Sequence, residues 1–139
     1  MRTLPSTIDE LMTPSPICIR PEQSLAEAHR LMRTHGVRHL PVVGDGRVLG
    51  VVTQGDLRLL ESISEVETDK VAVEEAMIER PYMVWPDTPV AEVLGEMVAR
   101  HIGSALVVDR ASLTSGRVAG IFTAVDAMRA LAQMTRGGS

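Results

Sequence analysis

The sequence predicts a mixed α/β (α+β) fold made of two β-α-β-β-α repeats. Residues 9–45 and 74–110 align without a gap, and apolar residues with helical spacing recur at the same places in both copies. The match resumes after a short insertion at residues 111–115 of the second copy. Matched pairs include Met12 with Met77, Pro16 with Pro81, Pro21 with Pro86, Met32 with Met97, Gly50 with Gly120, Thr53 with Thr123 and Asp56 with Asp126.

The first half of each repeat is predicted to be a short strand followed by a helix. In the first copy, residues 16–19 form an apolar strand that Pro21 ends, and Ser24 with Glu27 has the pattern of a capping box. The helical spacing predicts one core-facing side in each copy, formed by Leu25, Ala28 and Met32 in the first and by Val90, Val93 and Met97 in the second.

The second half of each repeat is predicted to be a hairpin followed by a helix. Gly36 ends the first helix, and the turn at residues 44–46 (GDG) joins a strand that begins at Leu40 to another at residues 48–52. Thr53 opens a helix that runs through Leu60. The acidic, polar stretch that follows, residues 61–70, is interpreted as the extended end of this helix and a linker. We therefore expect repeats at residues 8–60 and 73–134, with a linker at residues 61–72.

Composition argues against several classes of function. Aromatic residues make up 2% of the 139 residues and the formal net charge is -4, so a nucleic-acid-binding surface is not expected. No long apolar stretch marks a signal peptide or a membrane span, and we expect a cytoplasmic protein without membrane contact. Cys18 is the single cysteine and stands between two isoleucines, which favours a buried, inert thiol.

Two longer motifs carry a family resemblance. Each motif places Thr-x-x-Asp after a Gly-containing apolar strand. The motif reads GVRHLPVVGDGRVLGVVTQGD in the first copy and IGSALVVDRASLTSGRVAGIFTAVD in the second. Over nearly its whole length the chain resembles the paired CBS domain, a repeat first named from cystathionine beta-synthase. The resemblance implies pseudo-two-fold repeats with two clefts, a regulatory ligand such as AMP, ADP, ATP or S-adenosylmethionine, and a homodimer.

The segment Thr53-Gln54-Gly55-Asp56 and its copy, from Thr123 to Asp126, are the predicted ligand site. A carboxylate accepts two hydrogen bonds at once, which suits the vicinal hydroxyls of a ribose. A helix start offers unpaired N–H groups and the positive end of the helix dipole, which suits a phosphate. In the family the aspartate holds the ribose and the threonine lies near ribose or phosphate, and the resemblance implies the same roles here.

A plain helix cap explains the same pattern. Thr-x-x-Asp at a helix start closes the first turn with side-chain hydrogen bonds, whether or not a ligand binds. Both interpretations remain open from the sequence. We favour ligand binding for Asp56 and hold the two interpretations level for Asp126.

Arg38 and His39 precede the strand that begins at Leu40. Arg38 resembles the family position whose basic side chain reaches phosphate, and guanidinium geometry suits a pair of phosphate oxygens, with His39 able to assist. The alternative for Arg38 is a solvated surface charge. The second copy has Gly103 and Ser104 at these positions, so we expect unequal phosphate affinity.

The resemblance also implies that each cleft is lined by the first strand of the opposite repeat, where backbone groups and apolar side chains hold the base. This pairs Ile17 and Cys18 with Asp126, and Tyr82 and Met83 with Asp56. The alternative is that these short apolar runs are plain core strands.

Three hypotheses for function remain. The first is a regulatory module that binds an adenosine-type ligand and signals to an unknown effector protein in trans. The second is a structural dimerisation or adaptor domain with degenerate clefts, for which Gly103, Ser104 and Val125 are the evidence. The third, an enzyme, lacks an assembled acid, base or nucleophile, and no catalytic cofactor is expected. The four histidines have no spacing that suggests a metal site.

Overall fold

The structure is a computed structural model that describes residues 7–63, 67–110 and 117–136. Within these ranges, helices and short strands alternate in the predicted order, and the mixed α+β class is confirmed. The helices are α1 Leu25–His35, α2 Gln54–Ile63, α3 Val90–Arg100 and α4 Ala124–Arg136. The strands are β1 Thr13–Pro14, β2 His39–Gly44, β3 Arg47–Thr53, β4 Ile78–Glu79, β5 Met83–Val84, β6 Ser104–Val107 and β7 Gly120–Thr123.

The described residues divide into two compact units whose limits differ from those of the sequence repeats. The first unit contains residues 16–63, 67–81 and 117, and the second contains residues 7–15, 82–110 and 118–136. The first unit has a three-stranded sheet of order β2-β3-β4, and the second has a four-stranded sheet of order β1-β7-β6-β5. The segment that leads each sequence repeat therefore pairs with the hairpin of the other repeat.

Glycine permits this pairing at corresponding positions. In the first unit Gly50 pairs with Glu79, and a Cβ on Gly50 would lie 2.5 Å from the carbonyl oxygen of Ile78. In the second unit a Cβ on Gly120 would overlap the side chain of Met12. A larger residue at Gly50 would push β4 away from the sheet, whereas at Gly120 it would first displace the side chain of Met12.

Each unit has its own apolar core, and the predicted helix faces form part of it. Leu25, Ala28 and Met32 are buried in the first unit, and the corresponding face of α3 is buried in the second. The first core also contains Ile19, Leu40, Val42, Val52, Leu57 and Val73, and the second contains Ile8, Val84, Ala105, Val107 and Phe122.

Several local predictions are confirmed. Gly36 ends α1 in the left-handed region at φ 63, and Ser24 accepts a hydrogen bond from the N–H of Glu27. Asp45 and Gly46, both with positive φ, form the turn between β2 and β3, as the GDG motif predicts. The α2 helix runs past Leu60 to Ile63, into the stretch interpreted as its extended end.

The predicted strand at residues 16–19 is reduced to a single parallel bridge between Ile19 and Val42. Pro16 and Pro21 flank the segment, and neither can donate a backbone hydrogen bond to a neighbouring strand. The backbone of Ile19 makes two hydrogen bonds to β2. Its N–H donates to the carbonyl of Pro41 and its carbonyl accepts from the N–H of Val43, each at 2.9 Å. The insertion at residues 111–115 lies outside the described residues.

Candidate functional site

The β2-β3 hairpin places Arg38 beside the start of α2. His39 pairs with Thr53 across the hairpin, and the N–H of Gln54 donates to the carbonyl of Arg38 at 2.9 Å. The Arg38 side chain is exposed, whereas the His39 side chain is half-buried. A cationic side chain thus leaves the backbone at the point where the helix begins.

Thr53 and Asp56 close the first turn of α2. The Thr53 hydroxyl donates to Oδ2 of Asp56 at 2.8 Å and accepts from the Asp56 N–H at 3.1 Å. The helix cap that the sequence allowed is therefore present. It uses one oxygen of the carboxylate.

The other oxygen of Asp56 accepts no hydrogen bond from any residue that the structure describes. The Asp56 side chain is half-buried, so this oxygen remains within reach of an added molecule. Gly55 beside it is exposed, and a Cβ there would find only the Thr53 hydroxyl within 4 Å, at 3.9 Å. The start of α2 is therefore open locally and has an acceptor available.

The second copy repeats the backbone geometry without the cation. The N–H of Ala124 donates to the carbonyl of Gly103 at 3.3 Å, and Ser104 pairs with Thr123. Val125 stands where the first copy has Gly55 and exposes about half of its side chain over the helix start. A phosphate at this helix would find no arginine at the position of Arg38.

Asp126 is also surrounded differently from Asp56. Its side chain is only 5% exposed. Oδ2 accepts from the backbone N–H of Thr123 at 2.9 Å and from the Thr123 hydroxyl at 3.2 Å. Oδ1 accepts from the Thr13 hydroxyl and from Nη1 of Arg129, each at 3.1 Å. The sequence analysis missed Thr13 and Arg129, and Thr13 gave no local signal because it lies 113 residues from Asp126.

Ile17 and Cys18 lie in the first unit, in the segment that contains the bridge residue Ile19. Ile17 is half-buried against the core, but Cys18 is exposed, so the prediction of a buried thiol is wrong. The reason is that Ile19 turns into the core, and its neighbour Cys18 therefore faces outward. Partial desolvation still raises the pKa of the Cys18 thiol, which keeps it in its less reactive protonated form.

Tyr82 and Met83 lie in the second unit, at the edge strand β5. Met83 is exposed, whereas Tyr82 is half-buried. The guanidinium carbon of Arg100 lies over the Tyr82 ring, 4.7 Å from the ring centroid. Desolvation, followed by the nearby carboxylates Glu96 and Glu92, raises the pKa of the Tyr82 phenol, and the charge of Arg100 opposes this. The predicted pairing of Ile17 and Cys18 with Asp126, and of Tyr82 and Met83 with Asp56, stays a prediction.

The described residues contain no cluster of three His, Cys, Asp or Glu side chains that could hold a metal ion. Within the same ranges, no helix is long and apolar enough to cross a lipid bilayer.

Comparison with known proteins decides the family. A family model described as "CBS domain" matches residues 8–62 and 73–133, which together make up most of the chain. The chain belongs to the CBS domain family. Its two copies of Thr-x-x-Asp each fall within one of the CBS matches.

Similar CBS proteins include both an enzyme and solved ligand complexes. The chain is 34% identical over 110 residues to an inosine-5'-monophosphate dehydrogenase of Korarchaeum cryptofilum, a match that covers 79% of this chain and 21% of that enzyme. The chain spans about a fifth to a quarter of the length of the first curated relatives that it matches.

Two solved structures have a similar CBS pair. The CBS domain pair of protein MJ0100, in complex with 5'-methylthioadenosine and S-adenosyl-L-methionine, has a TM-score of 0.79 and 26% identity, covering 94% of this chain and 98% of that one. CBSX2 in complex with AMP has a TM-score of 0.73 and 26% identity, covering 94% of this chain and 99% of that one.

Proposed function

We propose that this chain is a regulatory CBS module that binds an adenosine-type ligand, AMP, ADP, ATP or S-adenosylmethionine, at the start of α2. Asp56 receives the ribose hydroxyls, and Arg38 with the helix start receives the phosphate or another polar group. The observation that carries the proposal is the free carboxylate oxygen of Asp56 beside the open turn at Gly55.

The chemistry of the first unit supports this assignment. A second acceptor oxygen can bind a ribose hydroxyl without breaking the bond between Thr53 and Asp56. The carbonyl of Arg38 accepts from the N–H of Gln54, so the arginine backbone lies beside the start of α2, where a cation and the helix dipole both favour an anionic group. The complexes of two similar CBS pairs with adenosine-containing molecules favour the same ligand class.

His39 and Gln54 belong to the same proposed site. Both lie where the β2-β3 hairpin meets the start of α2, beside the proposed phosphate position.

Binding acts through a partner rather than through chemistry on the ligand. We propose that the ligand shifts the conformation of a homodimer and that an effector protein in trans responds to the change. The apolar residues of α2 and α4 support dimerisation, because Leu59, Met128 and Leu131 are exposed. Leu57, which the sequence also suggested for this surface, is instead buried in the first core.

A thermal-shift series with AMP, ADP, ATP, NADH and S-adenosylmethionine tests the function. A ligand that binds only the folded protein raises the Tm with the logarithm of its concentration. We expect at least one adenosine ligand to do so, and Asp56→Ala to remove most of the shift. No shift with any of the five contradicts the proposal, whereas nucleotide turnover lost in Asp56→Ala would indicate an enzyme instead.

The second candidate function is an adaptor without a ligand. The second copy favours it, because Gly103 and Ser104 replace the basic pair and Asp126 already has four donors. This candidate predicts a stable dimer in light scattering together with no thermal shift.

A further inference from the structure

The two Thr-x-x-Asp carboxylates differ in how many acceptor positions remain free. A carboxylate has about four lone-pair sites. Asp126 accepts from the Thr123 N–H and hydroxyl, from Thr13 and from Arg129, so its acceptor capacity is filled within the described structure. Among the residues that the structure describes, Thr53 is the donor to the Asp56 carboxylate. A ribose would have to displace existing donors at Asp126 but not at Asp56.

The sequence explains this difference position by position. Ile78 occupies in the first unit the place that Thr13 occupies in the second, because β4 and β1 are corresponding strands. Leu59 stands three residues after Asp56, where Arg129 stands after Asp126. Neither Ile78 nor Leu59 can donate a hydrogen bond from its side chain. The two donors to Oδ1 of Asp126 therefore have no counterparts at Asp56.

Thr13 belongs to the segment of residues 7–15, which several contacts hold to the second unit. Ile8 is buried there, with Leu11 and Met12 packed against the same core. The backbone contacts are the β1-β7 pairing, the bridge between Thr7 and Pro89, and hydrogen bonds from the N–H groups of Ile8, Asp9 and Ser15 to the carbonyls of Thr88 (2.9 Å), Pro86 (3.1 Å) and Ala119 (3.0 Å). In the described structure, the hydrogen bond from the Thr13 hydroxyl to Asp126 is the side-chain hydrogen bond that joins this segment to α4.

We propose that Asp126 is a structural latch that fastens residues 7–15 to α4, and that the chain consequently binds one ligand molecule, at Asp56. The latch stands on the hydrogen bonds alone, whereas the single occupancy rests on the proposed function. The two copies of the motif thus have different roles: Asp56 binds the ligand, and Asp126 stabilises the fold. This revises the sequence-based roles of Thr123 and Asp126.

Matched asparagine variants of the full chain test the latch. In Asp126→Asn, an amide NH₂ group replaces a carboxylate oxygen and faces hydrogen-bond donors. The Asp56 carboxylate has only Thr53 as a described partner, so we expect a lower Tm for Asp126→Asn than for Asp56→Asn. Hydrogen exchange should become faster in residues 7–15 of Asp126→Asn, on the order of tenfold, as expected for losing a hydrogen bond to a charged group. Exchange in residues 71–79 should be unchanged in Asp56→Asn.

Equal Tm values for the two variants, or unchanged exchange in residues 7–15, overturn the latch. If Asp126→Asn does not fold, Thr13→Val supplies the same test, because it removes one donor and keeps the size of the side chain. We expect Thr13→Val to speed exchange in residues 7–15 and to leave AMP binding unchanged.

Isothermal titration with AMP, and with S-adenosylmethionine, tests the occupancy. We expect one molecule bound per chain. Two molecules with similar affinity overturn single occupancy and leave the proposed function intact. If neither ligand gives heat, the titration is repeated with ADP and ATP. No heat with any of the four contradicts the proposed function and the occupancy together, and the Tm and exchange measurements then decide the latch separately.

Discussion

The N–H of Gln54 donates a hydrogen bond to the carbonyl of Arg38, and this bond holds the backbone of Arg38 beside the start of α2. In the second copy the same bond runs from Ala124 to Gly103, which has no side chain. We therefore expect the two copies to differ in phosphate affinity.

Removing Arg38 should separate phosphate binding from ribose binding. Arg38→Ala should weaken AMP, ADP and ATP and spare adenosine, because only a phosphate contact is lost. Asp56→Ala should weaken all four ligands by roughly tenfold to a hundredfold, the value of a charged hydrogen bond of about 1.5 to 3 kcal/mol. Calorimetry on both variants measures this. Equal losses of adenosine and AMP in Arg38→Ala would show that Arg38 supports the fold or the base instead.

Closing the open turn should block the ligand without harming the fold. Gly55 is exposed in α2, and valine occupies the same place in the second copy. Gly55→Val should reduce AMP affinity, while the free energy of unfolding stays level or rises slightly, since valine favours a helix more than glycine does. Gly55→Ala is the control with a smaller side chain, and it should reduce AMP affinity less than Gly55→Val. Unchanged affinity in Gly55→Val would place the ligand away from this helix start.

Dimerisation should depend on the exposed face of α4. Met128 exposes 66% of its surface there, and Val98 on α3 exposes 74% as an apolar residue outside the proposed interface. Met128→Glu should shift the mass in light scattering from dimer to monomer at micromolar concentration, whereas Val98→Glu should not. A monomeric unmodified chain, or equal effects of the two variants, would contradict the interface.

Alkylation of Cys18 should respond to pH in a specific direction. Desolvation raises its thiol pKa, so less thiolate is present at mildly alkaline pH than in an unperturbed cysteine. The iodoacetamide rate in the folded protein should therefore rise at higher pH than in the denatured protein, where the shielding is lost. Coincident pH profiles would show that the shielding does not persist in solution.

The close approach at Gly50 should make it the less replaceable of two equivalent glycines. A Cβ there meets the backbone oxygen of Ile78, which cannot move without loosening β4, whereas at Gly120 it meets the flexible side chain of Met12. Gly50→Ala should cost about 1 to 3 kcal/mol of unfolding free energy, as overpacking does, and Gly120→Ala less. Urea denaturation of both variants decides the order.

The sequence by itself determined the features that depend on near neighbours. The core faces of α1 and α3, the end of α1 at Gly36, the turn at Asp45 and Gly46 and the caps at Thr53 and Thr123 all follow from spacing and local backbone preferences. Such features use residues within about one helical turn or one hairpin, so a duplicated pattern predicts them twice.

Only the tertiary structure decided what surrounds each of the duplicated aspartates. The acceptor capacity of Asp126 is used up because the strand that contains Thr13, distant in sequence, pairs beside it. Asp56 keeps an oxygen without a described partner because the corresponding strand places Ile78 there instead. Likewise the apolar flanks of Cys18 suggested burial, while the bridge at Ile19 turned it outward. Hydrogen bonding and exposure at these positions depend on which strands pair, and identical local motifs therefore acquire different chemistry.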